Sequence, residues 1–184
     1  RDDMPFLVRT CRTLLAASLT LTLGASCSGD GGGAGGINWS AATLTAQTVE
    51  LDGVKVSWSL PEGLKKDPDL SSESKLNMQG EELSSPRFYL KKASIPATKL
   101  ENAAATSRAL FGKDSETVEE ADRDGRFVIV LTNADKSRLL VSHYVTTDAA
   151  SFECVASQRK KGGVDNYDAL LAKFHEVCGS VAVP

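Results

Sequence analysis

Between Glu116 and Ser157, four segments with strand character follow one another: Glu116 to Ala121, Arg126 to Thr132, Ser137 to Thr147 and Ser151 to Ser157. The connections are Asp124-Gly125, Asn133 to Lys136 and Thr147 to Ala150, all short and rich in turn formers. Such links cannot carry a parallel crossover, so neighbouring strands are expected to run antiparallel, as a meander.

The rest of the pattern builds around that sheet. Val49 and Leu51, then Val54, Val56, Trp58 and Leu60, alternate with polar residues on either side of Asp52-Gly53. This is the signature of a hairpin over Thr48 to Leu60 with a type I′ turn. Pro61, Gly63 and Pro68 then break the strand; Leu76 and Met78 suggest a short strand, and Phe88 and Leu90 a firmer one over Arg87 to Lys92. Thr98 and Glu101 have the spacing of a capping box, with Leu100, Ala103, Ala104, Ser107, Leu110 and Phe111 on one helical stripe and Gly112 as the stop. A last helix is expected from a cap at Asp165, with Asp168 in its first turn and Tyr167, Leu170, Leu171, Phe174 and Cys178 facing inward. The expected fold class is α+β: an antiparallel meander with two main helices packed on it.

The amino-terminal segment speaks of location. Arg9 and Arg12 precede an apolar run of 11 residues, Thr13 to Leu23, and Gly24, Ala25 and Ser26 lead into Cys27. The order resembles the lipobox of bacterial lipoproteins. That resemblance implies a signal peptide over residues 1–26, with the true start at Met4, and cleavage before a diacylated Cys27. Ordinary secretory cleavage near Ala25 is the alternative. The apolar run is shorter than the ~20 residues a membrane-spanning helix needs. Ser28 after the lipid cysteine resembles the sorting signal for the outer membrane. Residues 28–36, SGDGGGAGG, have the composition of a flexible coil, about 18 Å in r.m.s. span for about ten residues. Residues 37–184 then have the length of one domain.

Charge and cysteines narrow the function classes. The chain has 21 basic and 24 acidic residues and a formal charge of −3. Nucleic acid is not an expected partner, because the single compact basic run is Arg159, Lys160 and Lys161 beside Gly162 and Gly163, read as an exposed hairpin tip or, alternatively, a contact for anionic lipid or phosphate. With Cys11 in the signal and Cys27 lipidated, Cys154 and Cys178 remain, and an even pair in an exported chain suggests a disulfide. It would pin the last helix to the sheet.

No catalytic motif is present: no GxSxG elbow, HExxH helix, P-loop or GxGxxG after a strand. His143 alternates with Val141 and Val145 as a packed strand residue, and His175 falls near a helix end, where a cation suits the dipole. Glu116, Glu119, Glu120, Asp122 and Asp124 lack calcium-loop spacing. No metal or cofactor is expected. Among the aromatics, Trp58 and Phe88 read as core, Tyr89 and Tyr144 as possible groove residues, and Trp39, at the exit of the tether, as the interaction candidate.

The LPEG after a strand, the helix at Thr98, the strand phrase SFECVAS and the closing VCGSV resemble the PsbP-like superfamily, which includes the Ran-binding Mog proteins. The resemblance covers most of residues 48–182. It implies an α/β sandwich and a non-catalytic accessory or partner-binding role. The leading expectation is a lipid-anchored, non-enzymatic binding or assembly module of the cell envelope with a membrane and an envelope protein as partners. A periplasmic carrier of a small apolar or amphiphilic ligand is the alternative, and a hydrolase using His143 requires that histidine exposed in a cleft.

Overall fold

The computed structural model describes residues 37–148 and 150–183. The signal peptide, Cys27 and the tether therefore lie outside the described residues. A 3₁₀ turn, Trp39–Ala41, leads into a hairpin of β1 (Leu44–Leu51) and β2 (Val54–Pro61). Asp52 and Gly53 take φ of 45° and 76°, as a type I′ turn demands. Then come β3 (Lys65–Lys66), β4 (Lys75–Gln79), β5 (Arg87–Lys92), α1 (Leu100–Phe111), β6 (Glu116–Arg123), β7 (Arg126–Thr132), β8 (Arg138–Thr146), β9 (Ser151–Arg159) and α2 (Tyr167–Gly179).

Seven strands form one antiparallel sheet in the order β3-β4-β5-β9-β8-β7-β6. The expected meander is present from β6 to β9, but β9 then pairs with β5, so the sheet is two meanders joined edge to edge. Four antiparallel steps separate β5 from β6, so these two strands run in the same direction. Their link must therefore cross a face of the sheet, and α1 is that link. The hairpin β1–β2 is not part of this sheet but a separate layer.

Strand alternation divides the core in two. One face presents Phe88, Leu90, Val128, Val130, Val141, Phe152 and Cys154 to α2 and the hairpin. Phe88 meets Phe174 edge-on with ring centroids 5.3 Å apart. Cys154 and Cys178 are joined there by a disulfide, Cα to Cα 5.4 Å. Arg126 donates from its guanidinium to the carbonyls of Cys178, Gly179 and Val181, capping α2 from the sheet. Ala182 exchanges two backbone hydrogen bonds with Ser57 and closes the chain end onto β2. The opposite face presents Ile129, Leu131, Leu140, Tyr144 and Val155 towards α1, whose Ala103 and Ala104 permit close approach. The result is a three-layer sandwich.

Both helix starts differ from expectation. The α1 cap is Lys99 in extended conformation, with no side-chain cap bond, so Thr98 and Glu101 form no capping box. Asn166, left-handed at φ 47°, precedes α2, and Asp165 instead pairs with Lys160. Leu110, placed on the buried stripe from sequence, is 47% exposed. Gly112 ends α1 as expected, its N–H donating to the Arg108 carbonyl.

Candidate functional site

Helix α1 touches β6, β7 and β8 and leaves the β4-β5-β9 side of its face uncovered. A groove of about 440 Å³ occupies that bare area. Its floor comes from alternating positions of four strands: Asn77 on β4, Tyr89 on β5, Val155 and Ser157 on β9, and Leu140 on β8. Leu110 and Phe111, at the end of α1, make one wall. The β4–β5 loop makes the other, held to β9 by Gln158, whose Nε2 donates to the Ser84 carbonyl at 2.8 Å. Leu83 stands at the tip of that loop, 94% exposed.

Behind the floor lies a buried polar chain. Glu153 Oε1 accepts from the hydroxyls of Tyr89 at 3.1 Å and Tyr144 at 3.0 Å, and Tyr144 also meets Ser107 Oγ of α1 at 3.0 Å. Burial, and then the Glu153 carboxylate, push both tyrosine hydroxyls above their usual range, so they remain donors. This network fixes the ring of Tyr89 that the groove exposes.

The histidines come together on the other face. His143 Nε2 lies 3.2 Å from His175 Nδ1, and His175 Nε2 lies 3.7 Å from Glu119 Oε2. A proton on His175 Nε2 facing the carboxylate leaves its Nδ1 to accept from His143 Nε2–H; this tautomer is inferred from the partners. It also accounts for the partnerless His143 Nδ1, which then carries only a lone pair. Desolvation, with His175 and Arg126 nearby, holds His143 down at about 3. Burial lowers His175 as well, against the pull of Glu119. His175 is thus no helix-end cation: it sits a full turn before the end of α2 and is directed at another ring. At 5% exposure, His143 does not meet the cleft requirement of the hydrolase reading.

The remaining sequence candidates fall in three places. Trp39 is partly buried against the α2-side core, its ring lying against Gly80, where a Cβ would come within 2.7 Å of Cζ2. The basic run links β9 to α2 rather than forming a hairpin tip: Arg159 faces the groove, Lys160 pairs with Asp165, and Lys161 is exposed. The acidic residues of β6 are dispersed, Glu119 to Arg123, Glu120 to Arg108, and Asp122 accepting from Gly125 N–H. Among the described residues, no cluster of three or more histidine, cysteine or acidic side chains is placed to hold a metal ion. No described helix is long and apolar enough to cross a membrane.

The chain is similar in structure to cyanobacterial PsbP (CyanoP) from Synechocystis sp. PCC 6803, solved in solution. The TM-score is 0.51 at 17% identity, over 83% of this chain and 98% of that one. The fold is PsbP-like. A protein from Bacteroides thetaiotaomicron, known from a crystal structure, matches at TM-score 0.40 and 11% identity, over 73% of this chain and 47% of the other. No family model matches the sequence, and no curated protein does. In this PsbP-like domain Tyr89 lines the groove as the sequence suggested, whereas Arg87, Arg138 and Asn77 escaped the sequence reading as a site because only the strand order β4-β5-β9-β8 unites them.

Proposed function

We propose that this is a non-enzymatic binding or assembly module of the bacterial cell envelope, held at the outer membrane through lipid on Cys27, with the groove beside α1 as its working surface. One observation carries the reading: half of a sheet face is left uncovered, yet shaped by a helix end and an anchored loop into an open groove. Bare sheet faces with rigid aromatic and polar floors suit recognition. The lipobox-like order around Cys27 supports the anchor, and the PsbP-like fold is compatible with an accessory role. The carrier reading draws support from the groove volume, which lies within the ~300–1,000 Å³ of small-ligand sites.

In-cell photocrosslinking tests the proposal, with the crosslinker at Leu83 and, for comparison, at Val118 on the far sheet edge. A reproducible adduct at Leu83 that is absent at Val118 and lost with Cys27→Ser is expected. Adducts at Val118 alone would move the working surface away from the groove. Adducts unchanged by Cys27→Ser would remove the anchor from the function.

A further inference from the structure

Three arginines from neighbouring strands meet at one end of the groove. Arg138 of β8 and Arg159 of β9 are direct cross-strand partners, and Arg87 of β5 stands opposite Ser157, one step along the same face from Arg159. Like charges opposed across a ladder repel, and diagonal neighbours about 7–8 Å apart still interact. Sheets normally place a carboxylate among them. Among the described residues, no carboxylate pairs with Arg87, Arg138 or Arg159, and none with Lys75, the fourth cation lining the groove. No acidic residue lines the groove at all, in a chain whose formal charge is −3. The nearby Glu153 is buried and already accepts from two tyrosine hydroxyls.

The cations are also positioned. The Arg138 guanidinium lies 4.3 Å from the centroid of the Phe111 ring, and Lys75 Nζ lies 4.6 Å from that of Tyr89. Stacking of this kind orients a cation while leaving its charge uncancelled. A second, independent feature is Asn77, which lines the groove at 6% exposure with its Oδ1 unpartnered. A buried amide oxygen without a donor is unusual in a settled core, and this one belongs to a residue of the groove floor.

We infer that the groove binds a small anionic amphiphile, its phosphate or carboxylate head held by Arg87, Arg138 and Arg159 and its apolar arm laid over Val155 and Leu140 against Leu110. Guanidinium forks can pair with two oxygens of either head, carboxylate or phosphate. A volume of about 440 Å³ suits a molecule of that size, whereas a stable protein partner covers about 800 Å² per side. The inference rests on the groove being the working surface.

The test is calorimetric titration of the full chain carrying Cys27→Ser, which needs no detergent, with decyl phosphate or decanoate below micellar concentrations. Both are expected to bind, the stronger head naming the natural class. Inorganic phosphate should bind at least 100-fold more weakly, and decyltrimethylammonium should not bind. Arg159→Gln and Arg87→Gln, both exposed, should each weaken binding at least tenfold without lowering the melting temperature, while Lys173→Gln on α2 leaves binding unaltered. Equal binding of decyltrimethylammonium, or affinity indifferent to the arginines, would overturn the inference. If Leu83 crosslinks a protein in cells while neither anionic probe binds, the amphiphile is wrong and the binding module stands. If neither result appears, both fall.

Discussion

His143 is tightly constrained in its chemistry by its surroundings. It is buried between β8 and α2, with Glu119, Arg123, Arg126 and His175 as its charged or titratable neighbours. Its proton affinity in the fold is depressed to about 3, so below the unfolded value of about 6.5 the unfolded chain binds the extra proton and the native chain does not. Stability must therefore fall as pH drops through 6.5, and go on falling towards 3. Urea unfolding at pH 7 and pH 5 is expected to show a loss of about 2 kcal/mol from this group, with His175 adding in the same direction. His143→Gln, which cannot titrate, should flatten that dependence; an equal slope in the variant would place the acid sensitivity elsewhere. The alternation of Val141, His143 and Val145 made burial of this residue legible in the sequence. Its partner was not, because nothing local ties position 143 to position 175.

At the scale of elements, the strands were readable wherever period-2 alternation met a turn with an obligatory conformation. Asp52-Gly53 and Asp124-Gly125 both take positive φ and both close hairpins. Helix starts were less readable: Thr98 and Asp165 have capping chemistry, but the chain enters each helix one residue later, through Lys99 and Asn166. The two-residue strand β3 has too little sequence to show a period. The cysteine pair was legible from export and parity, and it joins elements that also pack by Phe88, Phe174 and Leu170. Closing a loop of about 25 residues stabilises by about 3.5 kcal/mol on chain entropy, so replacing both cysteines by alanine should lower unfolding free energy by about 2–4 kcal/mol. Arg126 is the second fastener of α2. Its three bonds to helix-end carbonyls are charge-assisted and fork-shaped, so Arg126→Ala is expected to cost about 2 kcal/mol, and Arg126→Lys to restore only part of it. Full rescue by lysine would mean that charge alone matters there.

At the scale of the whole domain, the two faces of one sheet are finished differently. The α2 face is closed by a helix, a hairpin, a disulfide and the Arg126 cap, whereas the α1 face is left half open. That division was hidden in the sequence, since Arg87, Arg138 and Arg159 stand far apart along the chain and are gathered only by the order β5-β9-β8. The visible run Arg159 to Lys161 is in fact divided among three environments. Arginines opposed without a carboxylate cost the empty protein stability, and a fold tolerates that cost where an anion is to be met. Arg159→Gln, at an exposed position, should therefore stabilise the unliganded chain by about 0.2–1 kcal/mol. The gain should be larger at 20 mM than at 500 mM salt, because added ions screen the repulsion it relieves. Thermal unfolding at the two salt concentrations reads this directly. A variant destabilised to the same extent at both would show that Arg159 contributes packing rather than unopposed charge, and the cation-only groove would lose its energetic signature.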